Sequence, residues 1–206
     1  TMQNIEIGYQ NAMAMRISYT GELGFELYIP TQMALPVYDR LIEAGSEHGL
    51  RHCGYHTLNT LRIEKAYREW SHDMGPMETL LEAGLGFTAA WDKAGGFIGR
   101  EALLEQRESG KLTRQLVQFL LDDPEPMLTH NEPILLDGNN VGYTLSSGYA
   151  HTLGACAAMG YVNHEDGVSK EMIENGRFII EQANRSYPAS ASLKPMYDPK
   201  SERTRS

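Results

Sequence analysis

Glu26 closes the stretch Tyr19-Thr20-Gly21-Glu22-Leu23-Gly24-Phe25-Glu26, a turn with two glycines in which another backbone or a ligand can approach closely. A carboxylate held there could accept two parallel hydrogen bonds from a planar N–H/NH2 edge such as a pterin or a guanidinium. Tyr19 offers a flat face for stacking and a hydroxyl for orientation. The same residues read equally well as solvated turn carboxylates, or as Glu26 paired with Arg16 across a hairpin. A second cluster, Arg62, Glu64, Lys65 and Arg68, is what an exposed helix carries as i, i+3 and i, i+4 pairs. It is also what would donate to an anionic or carbonyl-bearing ligand, and residue types leave both open.

Other combinations carry less. His48, His52 and His56 recur at i, i+4 with Cys53 among them, a spacing that on one helix could ligate zinc. Gly49 and Gly54 interrupt that stretch and no HExxH or CxxC pattern supports it, so no metal site is expected. Cys53 beside His52 lacks a third, orienting group for nucleophilic catalysis. His72 and Asp73 are no stronger. Gly84-Leu85-Gly86 lacks the remainder of a phosphate-binding GxGxxG loop.

The elements that would position these residues follow from periodicity. Met13–Ser18 and Phe25–Ile29 alternate apolar and polar positions around the Tyr19–Gly24 turn, which predicts an antiparallel strand pair closed by Pro30. Leu35, Val37, Tyr38, Leu41 and Ile42 form a helical stripe with Pro36 at its first position, fading at Gly45 and Gly49. A second helix is expected from Tyr55 to Arg68. A third is expected over Gly99–Arg107, with Ala102, Leu103 and Leu104 inward and Gly110 as its terminator. Beyond it, short strand-like runs appear at Leu116–Leu121, Pro133–Leu136, Val141–Leu145, Ala155–Val162 and Phe178–Glu181. Turns at Asp123-Pro124, Asp137–Asn140 and Asn175-Gly176 separate them, which predicts a small β-barrel or sandwich. Residues 1–110 and 111–206 are therefore expected to be separate domains of an α+β chain, and the polar tail from Lys200 to fray.

The 206 residues suffice for a core without staples. A formal net charge of −9 argues against nucleic acid as a partner. No apolar run approaches a membrane span, and two cysteines make no disulfide scaffold. These features read as a soluble, acidic, intracellular protein.

Longer strings carry a resemblance. RISYTGELGFELYIP, LRIEKAYREWSHDMGPMETLLEAGLGF and FIGREALL, in that order, resemble the folate-dependent aminomethyltransferases, whose best-known member is the T protein of the glycine cleavage system. EKAYREW, HDMGP, FLLDDPEPMLTHNEPILLDGNNVGYTLSSGYAHTLG and LKPMYDPKSERTR resemble one branch, the C-terminal folate-binding portion of dimethylglycine and sarcosine dehydrogenases.

The resemblance implies a partial folate-binding lobe, an antiparallel sheet with helices, followed by a small C-terminal β-barrel. It implies tetrahydrofolate as cofactor, with FAD confined to a preceding domain of the dehydrogenase branch. Tyr19, Glu26, Arg62, Arg68 and Arg203 match the family's folate-binding positions. The family's catalytic aspartate lies upstream of these motifs, so no residue here takes its role. The implied partners are the folate and a further N-terminal lobe or companion chain, with self-association through exposed strand edges as a consequence. The implied compartment is the cytoplasm, or the mitochondrial matrix in a eukaryote. Because the family also includes a noncatalytic phosphatase regulatory subunit, a binding or regulatory role is the alternative.

Overall fold

The structure, a computed structural model, describes residues 2–205. These divide into two compact units, one formed by the chain up to Leu61 together with the segment from Lys200, the other by Arg62–Pro199.

The first unit holds a three-stranded antiparallel sheet of β1 (Met2–Ile7), β2 (Gln10–Met15) and β3 (Glu26–Tyr28), in that order. Gly8, with φ +65°, makes the tight turn between β1 and β2. Ala12 and Ala14 alternate onto the buried face of β2. The expected strand pair is present, with Met13 opposite Tyr28 and Met15 opposite Glu26, but β2 starts earlier and β3 is only three residues long. Strand β1 carries no clean alternation and was not foreseen.

Helix α1 (Ala34–Ser46) follows a short 3-10 turn, so Pro36 sits two residues later in the first turn than expected. The position still costs no hydrogen bond, since first-turn N–H groups have no helical partner. Val37 is its one buried side chain, while Leu35, Tyr38 and Leu41 are exposed. Its end is a Schellman motif. Gly49 takes φ +72°, and the Leu50 and Gly49 amides donate to the Gly45 and Ser46 carbonyls at 3.0 and 3.3 Å. The tail expected to fray is instead built into this unit: Arg16 Nη2 donates to the Thr204 carbonyl at 3.5 Å, and Thr204 Oγ1 to Ser201 at 3.0 Å.

Helix α2 (Tyr55–Glu64) runs across the division between the units and stops four residues short of the expected Arg68. Ala66 ends it by adopting φ +51°, with Tyr67 N–H on the Arg62 carbonyl and Ala66 N–H on that of Ile63, both at 2.9 Å. This is a second Schellman turn, made without glycine. Helix α3 (Arg100–Glu108) forms as expected, but of the three residues expected to face inward Ala102 is exposed and Leu103 and Leu104 are half-buried. Three consecutive helical residues span too wide an arc for one face to bury them all.

The second unit is built on a closed antiparallel barrel. Its strands are β4 (Arg114–Leu121), β5 (Pro133–Leu136), β6 (Asn139–Ala150), β7 (Ala155–Asn163), β8 (Phe178–Gln182) and β9 (Arg185–Ser192), in the spatial order β4-β7-β6-β5-β8-β9. Val117, Phe119 and Leu121 point into a core with Ile134, Cys156, Ala158, Val162, Phe178 and Ile180. The alternate residues Leu116, Ala157, Met159 and Tyr161 form an outer cluster with Ile63 and Ala66, so β4 and β7 are covered on both faces. At Gly142 an added Cβ would lie 1.9 Å from the Tyr161 carbonyl oxygen, so β6 and β7 can approach only because that side chain is absent. A short helix, α4 (Lys170–Asn175), capped by the Ser169 hydroxyl on Met172 N–H at 3.1 Å, precedes β8. No helix among the described residues is long and apolar enough to cross a membrane.

Candidate functional site

Tyr19, Glu26 and Arg203 lie in the first unit, Arg62 and Arg68 in the second. Each unit therefore has its own geometry.

The Tyr19–Gly24 turn is shaped by its small residues. Gly21 takes φ +81°, and the Ser18 hydroxyl accepts from Thr20 N–H at 3.3 Å. The turn delivers Glu26 as the first residue of β3, exposed. Its Oε2 accepts a hydrogen bond from the Tyr28 hydroxyl at 2.9 Å, which raises the Tyr28 phenol above its ordinary pKa. Arg16 does not make the ion pair considered from the sequence; its guanidinium turns to the Thr204 carbonyl. The second Glu26 oxygen has no hydrogen-bond partner among the described residues, so the carboxylate keeps an edge for a ligand. Tyr19, at the other end of the turn, is half-buried, and Arg203 is exposed.

In the second unit Arg62 sits at the closing turn of α2, 1% exposed. Its Nη1 donates to Asp73 Oδ2 and to the Tyr67 carbonyl at 3.2 Å. Its Nη2 donates to Glu69 Oε2 at 2.9 Å and to Ser146 Oγ at 2.8 Å. Ser146 in turn donates to the other Asp73 oxygen, and Glu69 N–H to Asp73 Oδ2 at 2.9 Å. Buried charge is tolerable only when paired and hydrogen-bonded throughout, which this cluster achieves.

The neighbouring residues are equally committed. Lys65, fully buried, donates through Nζ to the Asp198 carbonyl at 2.6 Å. Glu64 Oε1 accepts from Thr152 N–H at 2.6 Å. The Gln118 amide, 2% exposed, donates to the α2 terminal carbonyls of Ile63 and Glu64 at 2.8 and 3.1 Å. Arg68 is half-buried and donates to the Ala83 and Ala66 carbonyls at 2.8 and 2.6 Å. Burial lowers its guanidinium pKa, against the pull of the neighbouring Tyr161 and Asp73. The reading of Arg62, Glu64, Lys65 and Arg68 as an exposed, self-pairing helix face therefore fails. They anchor the end of α2 to the barrel.

Asp73, Glu69 and Ser146 escaped the sequence reading as partners of Arg62. HDMGP marked the neighbourhood of Asp73, but Ser146 lies far along the chain on a strand where no local pattern distinguishes it. His48, His52 and His56 are all exposed, with His52 Nε2 2.9 Å from the Tyr38 hydroxyl. Among the described residues no group of three or more His, Cys, Asp or Glu side chains is placed to hold a metal ion.

Comparison with known proteins gives two family matches along the sequence. Residues 1–93 match the GCVT N-terminal domain, and residues 114–198 the glycine cleavage T-protein C-terminal barrel domain. Mitochondrial sarcosine dehydrogenase of Homo sapiens is 39% identical over 194 residues, covering 93% of this chain and 21% of the relative. The mitochondrial pyruvate dehydrogenase phosphatase regulatory subunit of Mus musculus is 36% identical over 206 residues, covering 94% and 23%. The crystal structure of glycine cleavage system aminomethyltransferase T from Bartonella henselae superposes with a TM-score of 0.79 at 24% identity, covering 96% of this chain and 52% of that one. The chain thus has the aminomethyltransferase fold over about half the length of that structure, and spans under a quarter of these two relatives.

Proposed function

The chain belongs to the glycine cleavage T-protein family, and from that premise we propose that it is the tetrahydrofolate-binding part of a one-carbon transferase. That transferase is aminomethyltransferase-like or dimethylglycine/sarcosine dehydrogenase-like. The observation that carries the reading is Glu26, exposed at the head of β3 with one carboxylate oxygen engaged by Tyr28 and the other open. A planar pterin N–H/NH2 edge is the chemistry such a carboxylate selects. Tyr19 packs against the ring and Arg203 supplies donors and charge, while Arg68, held by the Ala83 and Ala66 carbonyls, acts with the barrel unit. Arg62, whose terminal nitrogens are committed inside the protein, contributes by fixing the end of α2.

Tetrahydrofolate, when bound, supplies the nitrogens that take up the one-carbon unit. The work left to this chain is orientation and electrostatics. An FAD of the dehydrogenase reading falls to a separate domain, since no GxGxxG fingerprint occurs in this sequence. A companion lobe completes the ligand site, and the compartment is the cytoplasm or, as for the mitochondrial relatives, the matrix. A noncatalytic binding or regulatory role is the second reading, favoured by the similarity to the phosphatase regulatory subunit.

Calorimetric titration with tetrahydrofolate and 5-formyl-tetrahydrofolate tests the first reading. Saturable binding, weakened about tenfold or more in Glu26→Gln, is expected. Identical binding by the variant overturns the assignment of Glu26, and no heat from a folded sample overturns the first reading and favours the second.

A further inference from the structure

On the barrel wall, Tyr143 of β6 lies opposite Tyr161 of β7, and Tyr161 opposite Leu116 of β4. Tyr143 and Tyr161, with Arg114, Leu145 and Asn163, line a cleft of about 330 Å³. That volume is at the lower end of small-molecule sites.

We propose that this cleft binds a small planar carboxylate, an aryl or heteroaryl acid. Three features of the wall converge on that chemistry. The Arg114 guanidinium lies over the Tyr161 ring, 4.1 Å from its centroid, which fixes the orientation of the cation. Glu78 Oε1 engages its Nη1 alone, at 3.0 Å, and the guanidinium makes no other hydrogen bond among the described residues. The remaining edge of the planar fork is free for a ligand carboxylate in two-point geometry.

Tyr143, 54% exposed, presents an aromatic face at the mouth. A ring attached to the carboxylate stacks there. Tyr161, 4% exposed, carries a hydroxyl with no hydrogen-bond partner among the described residues. A buried unpaired hydroxyl costs stability, and a polar ring substituent or heteroatom in the cleft would satisfy it. Charge alone does not account for selectivity, because Glu78 already neutralises Arg114 and the chain is acidic overall. The stacked face must supply it. The proposal is independent of folate binding, since none of these residues belongs to the set assigned to it.

The test is titration of the isotope-labelled chain with benzoate, followed by the Arg114 side-chain N–H and the amides of Tyr143, Tyr161 and Asn163. Saturable shifts confined to these groups, with a Kd on the order of a millimolar for so small a ligand, are expected. Arg114→Gln and Tyr143→Ala, both at exposed or half-exposed side chains, should each weaken binding several-fold with the rest of the spectrum intact. Acetate and benzamide, which keep the charge or the ring alone, should bind about tenfold more weakly than benzoate. Shifts spread over other surfaces, equal binding by acetate, or unchanged affinity in both variants would overturn it.

Discussion

Arg62 and Asp73 form an ion pair whose side chains are 2% and 0% exposed. The pair joins the last turn of α2 to the turn preceding Pro76, and Ser146 ties both to β6. Removing one member leaves the other charge buried. Asp73→Ala should therefore cost about 3–5 kcal/mol, read from the midpoint of urea unfolding. A loss under about 1 kcal/mol would mean that Glu69 and Ser146 alone satisfy the guanidinium.

Ala66 closes α2 at φ +51°, a region where a Cβ is strained and a branched side chain more so. It is also 5% exposed, packed in the cluster with Ile63 and Met159. Ala66→Gly relieves the backbone but loses a buried methyl, so its stability should stay within about 1 kcal/mol of the parent. Ala66→Val combines backbone strain with overpacking and should cost about 2–3 kcal/mol in the same unfolding experiment. Equal stability of the valine variant would refute the left-handed turn.

These two cases show where the sequence was legible. Apolar alternation located the strand pair around Tyr19–Gly24 and most of the barrel. Asp137-Gly138, at φ +48° and +86°, announced the β5–β6 hairpin through its turn chemistry. Its β8–β9 counterpart uses Ala183-Asn184 at φ +50° and +60°, with no glycine to betray it. Strand β9 contains Pro188, which argues locally against a strand although it pairs with Ile179. The end of α2 was misplaced for the same reason as the second hairpin, an alanine where glycine is the usual signal. Within the candidate site, Glu26 could be found from its own turn. Arg62 could not be understood locally, because its partners come from Glu69, Asp73 and a strand beyond residue 139.

Glu132 provides an acid-sensitive element of the barrel unit. Burial raises its carboxyl, but the Thr144 hydroxyl, the Thr129 N–H at 2.7 Å and the Thr129 hydroxyl at 3.0 Å outweigh it, and the net pKa is lowered. A carboxyl lowered in the folded state stabilises above its unfolded pKa, and that contribution disappears as pH falls through the folded value. Thr144→Val should cost about 1.5–3 kcal/mol at neutral pH, as a lost hydrogen bond to a charged group. It should also reduce the steepness of the stability loss below about pH 4.5, the unfolded range. Parallel stability–pH curves for parent and variant would remove Glu132 from the account of acid unfolding.

Tyr161 provides an alkali-sensitive element of the barrel unit. Burial, then the nearby Glu78, push its phenol up to about 12, against the pull of Arg114 and Arg68. A phenol raised in the folded state contributes stability that is complete below its unfolded pKa near 10, and is lost as pH climbs from there through about 12. Of the 11 tyrosines, it should be among the last to ionise in an ultraviolet titration, and Tyr161→Phe should delete that late component. At neutral pH the same substitution removes a buried hydroxyl without a partner, so it should leave stability unchanged or raise it by about 1 kcal/mol. The Arg114 guanidinium keeps its aromatic platform in phenylalanine, so the cleft should survive. A loss of about 2 kcal/mol or more at pH 7 would instead mean that the hydroxyl is satisfied, by an ordered water or a ligand, in the folded protein.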